Sequence, residues 1–221
     1  MKRASGSGTR RRLLRAATEL FAERGFHGTK IRDIADRAGV NLASGNYHFG
    51  SKRDLYLEVL RTQFAAIRNL FSRRSVQPTA TELAKLPRAS LERLLEKRVQ
   101  SMLDVLVGPP LGAHGALMLR EMADPSEALP VIVREFIFPM KSEMEAIVSR
   151  LAPELSARDI ERCGFSIVGQ VLHYRFAMPI VLELLGLRQY PSSFSRHTAR
   201  HIARFSVGGM GRARNGGGGA R

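Results

Sequence analysis

Residues 33–41 read Asp-Ile-Ala-Asp-Arg-Ala-Gly-Val-Asn, and residues 46–52 read Asn-Tyr-His-Phe-Gly-Ser-Lys. The first stretch has the apolar spacing of a short amphipathic helix followed by a glycine turn, and the second ends in a Gly-Ser pair that stops one helix and starts another. A helix, a tight turn and a short second helix within about 30 residues form a helix-turn-helix, whose second helix enters the DNA major groove. The two stretches therefore predict a DNA-binding unit.

The helices that flank these stretches are predicted from apolar spacing and from capping residues. Residues 10–23 keep helical spacing, and Gly25 is predicted to end that helix. Thr29 is predicted to cap the next helix, and Ser51 to cap a long helix that runs to about residue 74. The first two helices and the short helix predicted over about residues 42–48 are expected to form a tri-helical core.

The sequence beyond residue 77 also has helical spacing. Helices are predicted over about residues 90–107, 113–123, 124–151, 157–185 and 192–206. Ser90 and Asp124 are predicted N-caps, while Pro130 and Pro139 are predicted to kink the long helix that contains them. No alternating pattern is long enough to predict a strand, so we expect an all-α fold.

The predicted domain organisation has four parts: a flexible basic arm over residues 1–9, a helix-turn-helix domain over 10–56, a helical ligand-binding and dimerisation domain over 57–207, and a disordered Gly/Arg tail over 208–221. The tail is predicted from its composition, which offers little apolar surface to bury.

Positive charge is concentrated at the two ends of the chain, whose net charge is +15. Residues 1–60 contain 12 basic and 6 acidic residues, residues 61–185 contain 16 and 14, and residues 186–221 contain 7 and none. Basic ends suit a polyanionic partner. Only 6 of the 35 basic residues are lysine, which indicates a genome-wide bias, but such a bias does not explain the nearly neutral middle.

Composition and motifs argue against secretion, membrane insertion and catalysis. The single cysteine, Cys163, excludes an intramolecular disulfide and favours a reducing compartment. The N-terminus lacks the apolar segment of a signal peptide. The best membrane-span candidate, residues 163–187, contains Arg175, and a charge at the bilayer centre costs about 2.5–3.5 kcal/mol. The sequence therefore predicts a cytoplasmic protein without membrane contact.

No arrangement of nucleophile, base and orienting residue is found, so an enzyme is not predicted. His197 and His201 lie four residues apart and could share a metal ion, but no third ligand lies near them in the sequence. We therefore predict neither a metal nor another cofactor.

The first quarter of the chain carries a family resemblance. Its motifs are Ala16-Ala17, Leu20-Phe21-Ala22-Glu23-Arg24-Gly25-Phe26, Gly28-Thr29, Asp33-Ile34-Ala35, Ala38-Gly39-Val40, Tyr47-His48-Phe49, Ser51-Lys52 and Leu55. They resemble the DNA-binding domain of TetR-type transcriptional regulators. Two further stretches, Arg120-Glu121-Met122 with Pro125 and residues 164–170, resemble the CecR-like subgroup more loosely. The resemblance implies an all-α homodimer with a C-terminal regulatory domain and ligand-controlled operator binding.

The same resemblance implies a set of DNA-contacting residues. They are Thr29, Arg32, Asn41, Ala43, Ser44, Asn46, Tyr47, His48 and Lys52. Asn46 can pair with an adenine edge, and Tyr47 and His48 can donate to phosphates. Other roles stay open: Asn41 can be a helix cap, Tyr47 can pack on the tri-helical core, and His48 can be an ordinary surface residue.

A small-molecule effector is expected between the C-terminal helices, where an apolar pocket would have a few polar anchors. The candidate residues are Met118, Met122, Phe138, Met140, Gln170, His173, Tyr174 and Arg175. The apolar candidates can equally be core residues, and the polar ones can have structural partners. Arg120 and Glu121 can form an ion pair rather than a site.

Residues 157–206 are predicted to form a homodimer through a four-helix bundle, with Gly164 and Gly169 allowing close helix approach. The expected apolar face consists of Ile160, Ile167, Val168 and Val171. A dimer would place its DNA-binding units about 34–36 Å apart, which predicts a palindromic operator. The predicted function is a sequence-specific DNA-binding regulator, a repressor released by a small molecule. An activator and an architectural DNA-binding protein without ligand control are the open alternatives.

Overall fold

The computed structural model describes residues 3–41, 49–74, 78–108, 117 and 120–216, and no strand occurs among them, which confirms the predicted all-α fold. The helices are α1 (Arg3–Gly28), α2 (Ile31–Ala38), α3 (Lys52–Arg74), α4 (Ala80–Lys85), α5 (Arg88–Leu106), α6 (Leu129–Ile132), α7 (Phe138–Leu151), α8 (Ala157–Phe176), α9 (Met178–Leu184) and α10 (Phe194–Gly216). A π-helical turn, Val133–Ile137, joins α6 to α7, and residues 120–123 are also helical.

The chain forms two compact units. Unit 1 takes residues 1–69 and 110–137, and unit 2 takes residues 70–109 and 138–221. The sequence did not lead us to expect that residues 110–137 would join the N-terminal helices.

The core of unit 1 is built by α1, α2 and α3. Its buried apolar residues include Leu13, Leu20, Phe21, Ile34, Ala35, Ala38, Leu55, Val59 and Leu60. The Tyr56 ring lies 4.7 Å from the Phe21 ring and 4.9 Å from the Phe26 ring, measured between centroids. The predicted inner face of α2 is confirmed, because Ile34, Ala35 and Ala38 are all buried.

The predicted turn after α2 is also confirmed. Gly39 has φ +62°, and its N–H donates to the carbonyl groups of Ala35 and Asp36. The N–H of Val40 also donates to the Ala35 carbonyl, at 3.0 Å. A left-handed glycine here closes the end of the helix, as in a Schellman motif.

Ser51 caps α3 as predicted. Its Oγ accepts from the Asp54 N–H at 3.1 Å and donates to the Asp54 carboxylate at 2.6 Å. The hydroxyl satisfies a backbone donor that has no partner inside the helix.

We expect Ser51→Ala to lower the free energy of unfolding by about 1 kcal/mol, because the Asp54 N–H loses its acceptor. Ser51→Thr, which keeps a hydroxyl, should lose less than half of that amount. Urea denaturation measures both variants. Equal losses in the two would show that the cap does not stabilise α3.

α1 begins at Arg3, so the prediction of a flexible arm is wrong for residues 3–9. Gly25 interrupts the regular helix at the predicted position, with the non-helical dihedral angles φ +72° and ψ 179°, and a short second helical segment follows this kink and extends to Gly28. A glycine can adopt this backbone conformation without the strain that a Cβ atom would add.

Thr29 is not the cap of α2, so that prediction is wrong. Lys30 occupies the cap position, and no side chain caps the helix. Thr29 is fully buried, and its hydroxyl lies 2.8 Å from the Gly25 carbonyl oxygen and 3.1 Å from that of Leu20. Because the kink interrupts the regular hydrogen-bond ladder, these carbonyl groups need another donor.

The predicted N-caps Ser90 and Asp124 are also wrong. α5 begins at Arg88, with Pro87 at its cap position. Residues 124–128 are not helical, and helix begins only at Leu129. The Ser126 N–H in this segment donates to the Glu121 carboxylate at 2.6 Å.

The two prolines of the predicted long helix behave differently. Pro130 lies in the first turn of α6, where its missing N–H costs nothing, so it starts a helix rather than kinking one. Pro139 follows the π-helical turn, which widens the backbone where the proline ring would otherwise meet a carbonyl group.

Two predictions for the C-terminal helices are wrong. The helix predicted over 157–185 breaks at Ala177, before Pro179, and α8 and α9 are bent by 74°. Because of this break, no single helix in the described ranges has the length and apolar character to cross a membrane, although α8 and α9 together reach both. The disordered tail is wrong for residues 208–216, since α10 continues to Gly216 and buries Met210.

Unit 2 buries the inner faces of α5, α7, α8 and α10, and α10 packs mainly against α5. Ile167 and Val171 are fully buried in this core, so they cannot supply the predicted dimer face. Gly164 is also buried, with the Met144 and Glu145 side chains 3.9 Å from where its Cβ would lie. The large apolar residues that are exposed within residues 157–206 are instead Phe165, Phe176, Ile180, Leu184, Leu185, Leu187 and Phe205.

Candidate nucleic-acid interface

Only four of the nine predicted DNA-contacting residues lie in the described part of the chain: Thr29, Arg32, Asn41 and Lys52. The others, Ala43, Ser44, Asn46, Tyr47 and His48, lie outside it. Arg32 and Asn41 are exposed. Thr29 is buried with its hydroxyl hydrogen used inside the protein, so we leave it out of the contacts proposed below.

Lys52 is positioned at the start of α3 by an aromatic ring. Its Nζ lies 4.3 Å from the centroid of the Phe26 ring, a favourable cation–π distance. Partial burial lowers the pKa of Lys52, and the nearby Glu127 carboxylate opposes that shift. The contact with Phe26 therefore places the ammonium group over an aromatic ring of unit 1.

Some basic side chains of α1 and α2 are paired and others are not. Arg10, Arg24 and Arg37 form ion pairs with carboxylates of the same unit. The side chains of Lys30 and Arg32, at the start of α2, have no hydrogen-bond or ion-pair partner among the described residues. A cation without an acidic partner is the kind that can neutralise a phosphate.

Arg120 connects the second stretch of unit 1 to the end of α1. Its Nη1 donates to the carbonyl oxygens of Glu23 at 3.0 Å and Ala22 at 3.5 Å. A Cβ atom on Gly25 would lie 2.7 Å from the Arg120 Nε. The guanidinium therefore satisfies carbonyl groups just before the kink, where the negative end of a helix dipole favours a cation.

Glu121 connects the same stretch to α3. It is only 4% exposed, and its carboxylate accepts from the Tyr56 hydroxyl at 2.7 Å and from the Ser126 hydroxyl at 3.2 Å. Burial, and then the Glu121 hydrogen bond, raise the pKa of Tyr56 well above its ordinary value, so the phenol keeps the hydrogen that it donates.

The ion pair that Arg120 and Glu121 could have formed is not found among the described residues, because each side chain has partners in a different helix. Tyr56, the partner of Glu121 in α3, is 65 residues away in the sequence, and Glu23, the partner of Arg120 in α1, is 97 residues away. No local pattern could have indicated them, although the adjacency of Arg120 and Glu121 in a mostly apolar segment did mark the position.

Two further contacts join α3 to the π-helical turn. Arg61 donates to both carboxylate oxygens of Glu135 at 2.9 Å, which lowers the pKa of Glu135. The Phe64 and Phe136 rings stack with centroids 4.2 Å apart. Residues 120–137 therefore contact both α1 and α3 of the helix-turn-helix unit.

The predicted effector residues are distributed over both units. Met118 lies outside the described residues, Met122 and Phe138 are exposed, and Met140 is half-buried. His173 is exposed and packs edge-on against the Tyr174 ring.

The remaining candidates have structural partners in unit 2. Gln170 donates to the Ser206 hydroxyl at 3.4 Å, and the Tyr174 ring meets the Phe194 ring edge-on at 5.3 Å. Arg175 is half-buried, with Nη1 at 4.0 Å from the Met178 sulfur. Such contacts within the protein do not test whether these residues bind an effector. The effector role of Gln170, His173, Tyr174 and Arg175 therefore stays a prediction.

Comparison with known proteins is consistent with this geometry. The family model of bacterial regulatory proteins of the tetR family matches residues 13–59. The model of the C-terminal domain of the HTH-type transcriptional dual regulator CecR matches residues 91–210, more than half of the chain.

Individual relatives fall into the same class. The CecR dual regulator of Shigella flexneri is 26% identical over 189 residues, 82% of each chain. The repressor KstR2 of Rhodococcus jostii is 51% identical over 55 residues, 25% of this chain and 27% of that protein. The activator FasR of Mycolicibacterium smegmatis is 40% identical over 88 residues, 39% of each chain.

Solved structures share the fold. The TetR-family regulator SCO4454 of Streptomyces coelicolor superimposes with a TM-score of 0.63 and 20% identity, covering 92% of this chain and 96% of that one. AibR, solved with isovaleryl coenzyme A and operator DNA, gives a TM-score of 0.54 and 17% identity, covering 90% and 96%. The chain therefore belongs to the TetR family of bacterial DNA-binding transcriptional regulators, in the group whose C-terminal domain is that of CecR.

Proposed function

We propose that the protein is a cytoplasmic homodimer that represses transcription from a palindromic operator and is released by a small-molecule effector. The observation that carries the DNA-binding part is the pair of elements that flank residues 42–48, the predicted second helix of the helix-turn-helix, which lies outside the described residues. α2 ends in the Gly39 turn, α3 begins at the Ser51 cap, and Arg32 and Lys52 present cations beside them. We further propose Asn41, Ala43, Ser44, Asn46, Tyr47 and His48 as DNA contacts on the resemblance alone.

The contacts of residues 120–137 support control by a ligand. Arg120 is hydrogen-bonded to α1, and Glu121 is hydrogen-bonded to α3. A ligand that shifts this segment would therefore change the positions of both helices. A ligand alters operator affinity only if it prefers one of the two arrangements. Met118, Met122, Phe138, Met140, Gln170, His173, Tyr174 and Arg175 stay the proposed effector contacts.

The exposed apolar residues of α8 to α10 support a homodimer through residues 157–206. Side chains such as Ile180 and Leu184 are 65% and 80% exposed. Because isolated proteins seldom expose several large apolar residues together, such a surface suits a subunit interface. The relatives are regulators rather than enzymes, and we infer that this chain also acts by binding.

Selection of binding sites from random DNA by the purified full-length protein tests the proposal. A specific regulator should prefer its selected site over random duplexes by about 10³–10⁷-fold, and the site should be palindromic. Equal binding to all duplexes would instead support an architectural protein. Transcription in vitro from a promoter that contains the site then distinguishes a repressor from an activator. An activator is the alternative because the relative FasR is a transcriptional activator.

We expect Arg32→Gln to weaken binding to the selected site by about tenfold and to reduce the salt dependence by about one counterion, because a phosphate contact is lost. Arg37→Gln is the matched control: it removes the same charge from the same helix, but Arg37 is paired with Glu19 and Glu23. Fluorescence anisotropy at several salt concentrations measures both variants. If the two variants weakened binding equally, Arg32 would contribute only through general charge attraction and not through a specific phosphate contact.

A further inference from the structure

The first ten residues of α1, residues 3–12, form an N-terminal extension of the helix beyond the core of unit 1. Leu13 is the first buried residue of α1 among those whose burial is described, and no residue from 7 to 12 is buried. At 1.5 Å per residue the N-terminal extension is about 15 Å long, the length of about four base pairs of duplex DNA. Its exposed side chains are therefore available to a partner.

The beginning of the chain carries positive charge only. Residues 1–18 contain six basic residues, and the first acidic residue is Glu19. Arg11, Arg12 and Arg15 are exposed, and their side chains have no hydrogen-bond or ion-pair partner in the part of the chain that the structure describes. Their spacing on a helix of 3.6 residues per turn places all three on the side of α1 that faces away from the core. Three guanidinium groups without acidic partners on one side of a helix suit a polyanion.

Arg10 fixes the position of the N-terminal extension within unit 1. Its guanidinium carbon lies 5.1 Å from the centroid of the Phe49 ring, and its Nη2 lies 2.5 Å from the Glu58 carboxylate of α3. Phe49 directly follows residues 42–48, the segment predicted to enter the major groove. The three exposed arginines are at most five positions from Arg10, or about 8 Å along the helix axis. They therefore lie close to the end of the predicted DNA-reading segment.

We propose that Arg11, Arg12 and Arg15 bind phosphates of the duplex that flanks the base pairs read by residues 42–48. The inference rests on the proposed DNA-binding function and extends the bound duplex beyond the operator itself. Guanidinium groups match phosphate oxygens in geometry and charge. Residues 7–12 offer no apolar side chain around which a protein interface could form its core. Because phosphate contacts carry no sequence information, the flanking base pairs contribute through their presence and not through their sequence.

Binding of the full-length protein to two duplexes, measured by fluorescence anisotropy, tests the proposal. One duplex contains only the site selected from random DNA, and the other has about five further base pairs on each side, enough to span the N-terminal extension. The unmodified protein should bind the longer duplex about tenfold more tightly, and scrambling the flanking sequence should not change this advantage. Protection of the flanking backbone from hydroxyl radicals locates the contact independently of affinity.

A triple variant that combines Arg11→Gln, Arg12→Gln and Arg15→Gln should bind the two duplexes within about threefold of each other. Its salt dependence on the longer duplex should fall by about three counterions per subunit. The corresponding triple lysine variant keeps the charge and should retain most of the advantage of the longer duplex. Arg24→Gln is the matched control: Arg24 lies on the same helix but is paired with Asp33, so its replacement should leave the ratio of the two affinities unchanged.

Two results with the triple glutamine variant would overturn the proposal. If it lost affinity equally for both duplexes, the three arginines would act only through general charge attraction. If it bound the longer duplex as tightly as the unmodified protein does, the arginines would serve another partner, such as an acidic protein. A chain that selects no DNA site at all would refute the proposed function and this inference together, whereas a selected site that binds equally well without its flanks would refute this inference alone.

Discussion

Gly25→Ala should lower the free energy of unfolding by about 2–4 kcal/mol, because alanine strains this backbone conformation and its Cβ meets Arg120. The backbone at Gly25 has φ +72° and ψ 179°, and the Cβ would lie 2.7 Å from the Arg120 Nε. Arg120 could move away only by losing its hydrogen bonds to the carbonyl groups of Ala22 and Glu23. Chemical denaturation measures the loss.

Gly39→Ala is the matched control for this prediction. Gly39 also has a positive φ, +62°, but nothing lies within 4 Å of its would-be Cβ. Its replacement should cost about 1 kcal/mol, the strain of one left-handed residue alone. Combining Gly25→Ala with Arg120→Ala should cost less than the sum of the two single variants. Strict additivity would contradict the contact between Gly25 and Arg120.

Glu121→Gln is expected to destabilise unit 1 by about 1–3 kcal/mol, because an amide cannot accept from every donor around it. One carboxylate oxygen accepts from the Ser126 N–H at 2.6 Å, and the other accepts from the Tyr56 hydroxyl at 2.7 Å. An amide replaces one acceptor with an NH₂ group, which would face a buried donor. The same variant should weaken operator binding, because α3 loses a fixed partner.

The exposed neighbour Glu127 provides the control for charge. Glu127→Gln removes the same negative charge, but Glu127 is exposed and interacts only with the charges of Arg53, at 3.9 Å, and of Lys52 among the described residues, so its replacement should change stability by less than about 0.5 kcal/mol. Tyr56→Phe combined with Glu121→Gln should show coupling in a double-mutant cycle. If Glu121→Gln were as mild as Glu127→Gln, the buried network would not stabilise the unit.

Local features of the fold could be predicted from the sequence because they depend on neighbouring residues. Gly39 ends α2 and Ser51 caps α3 through contacts within a few positions. The helical spacing of Ile34, Ala35 and Ala38 places them on one face of α2, and this local pattern predicts their burial. Such signals are readable without any tertiary information.

Errors arose where a distant partner decided the local structure. Thr29 looked like a cap, but the kink at Gly25 left carbonyl groups that its hydroxyl satisfies. Asp124 looked like the start of a helix, but residues 124–128 are not helical and Ser126 bonds instead to the buried Glu121 carboxylate through its N–H and its hydroxyl. The candidate DNA-contacting residues were predicted from the family resemblance. The contacts of Arg120 with Glu23 and of Glu121 with Tyr56 could not be predicted, because these residues are far apart in the sequence and no periodic pattern relates them.

Because unit 1 is built from two stretches that are separated in the sequence, the protein cannot be shortened to its N-terminal helices without losing part of the unit. A fragment that stops after α3 would keep the whole helix-turn-helix, yet it would lack residues 120–137. It would uncover the Phe64 ring, leave the Tyr56 hydroxyl without Glu121 and free the end of α1 from Arg120. A minimal DNA-binding fragment for laboratory use therefore requires the second stretch to be grafted back through a linker.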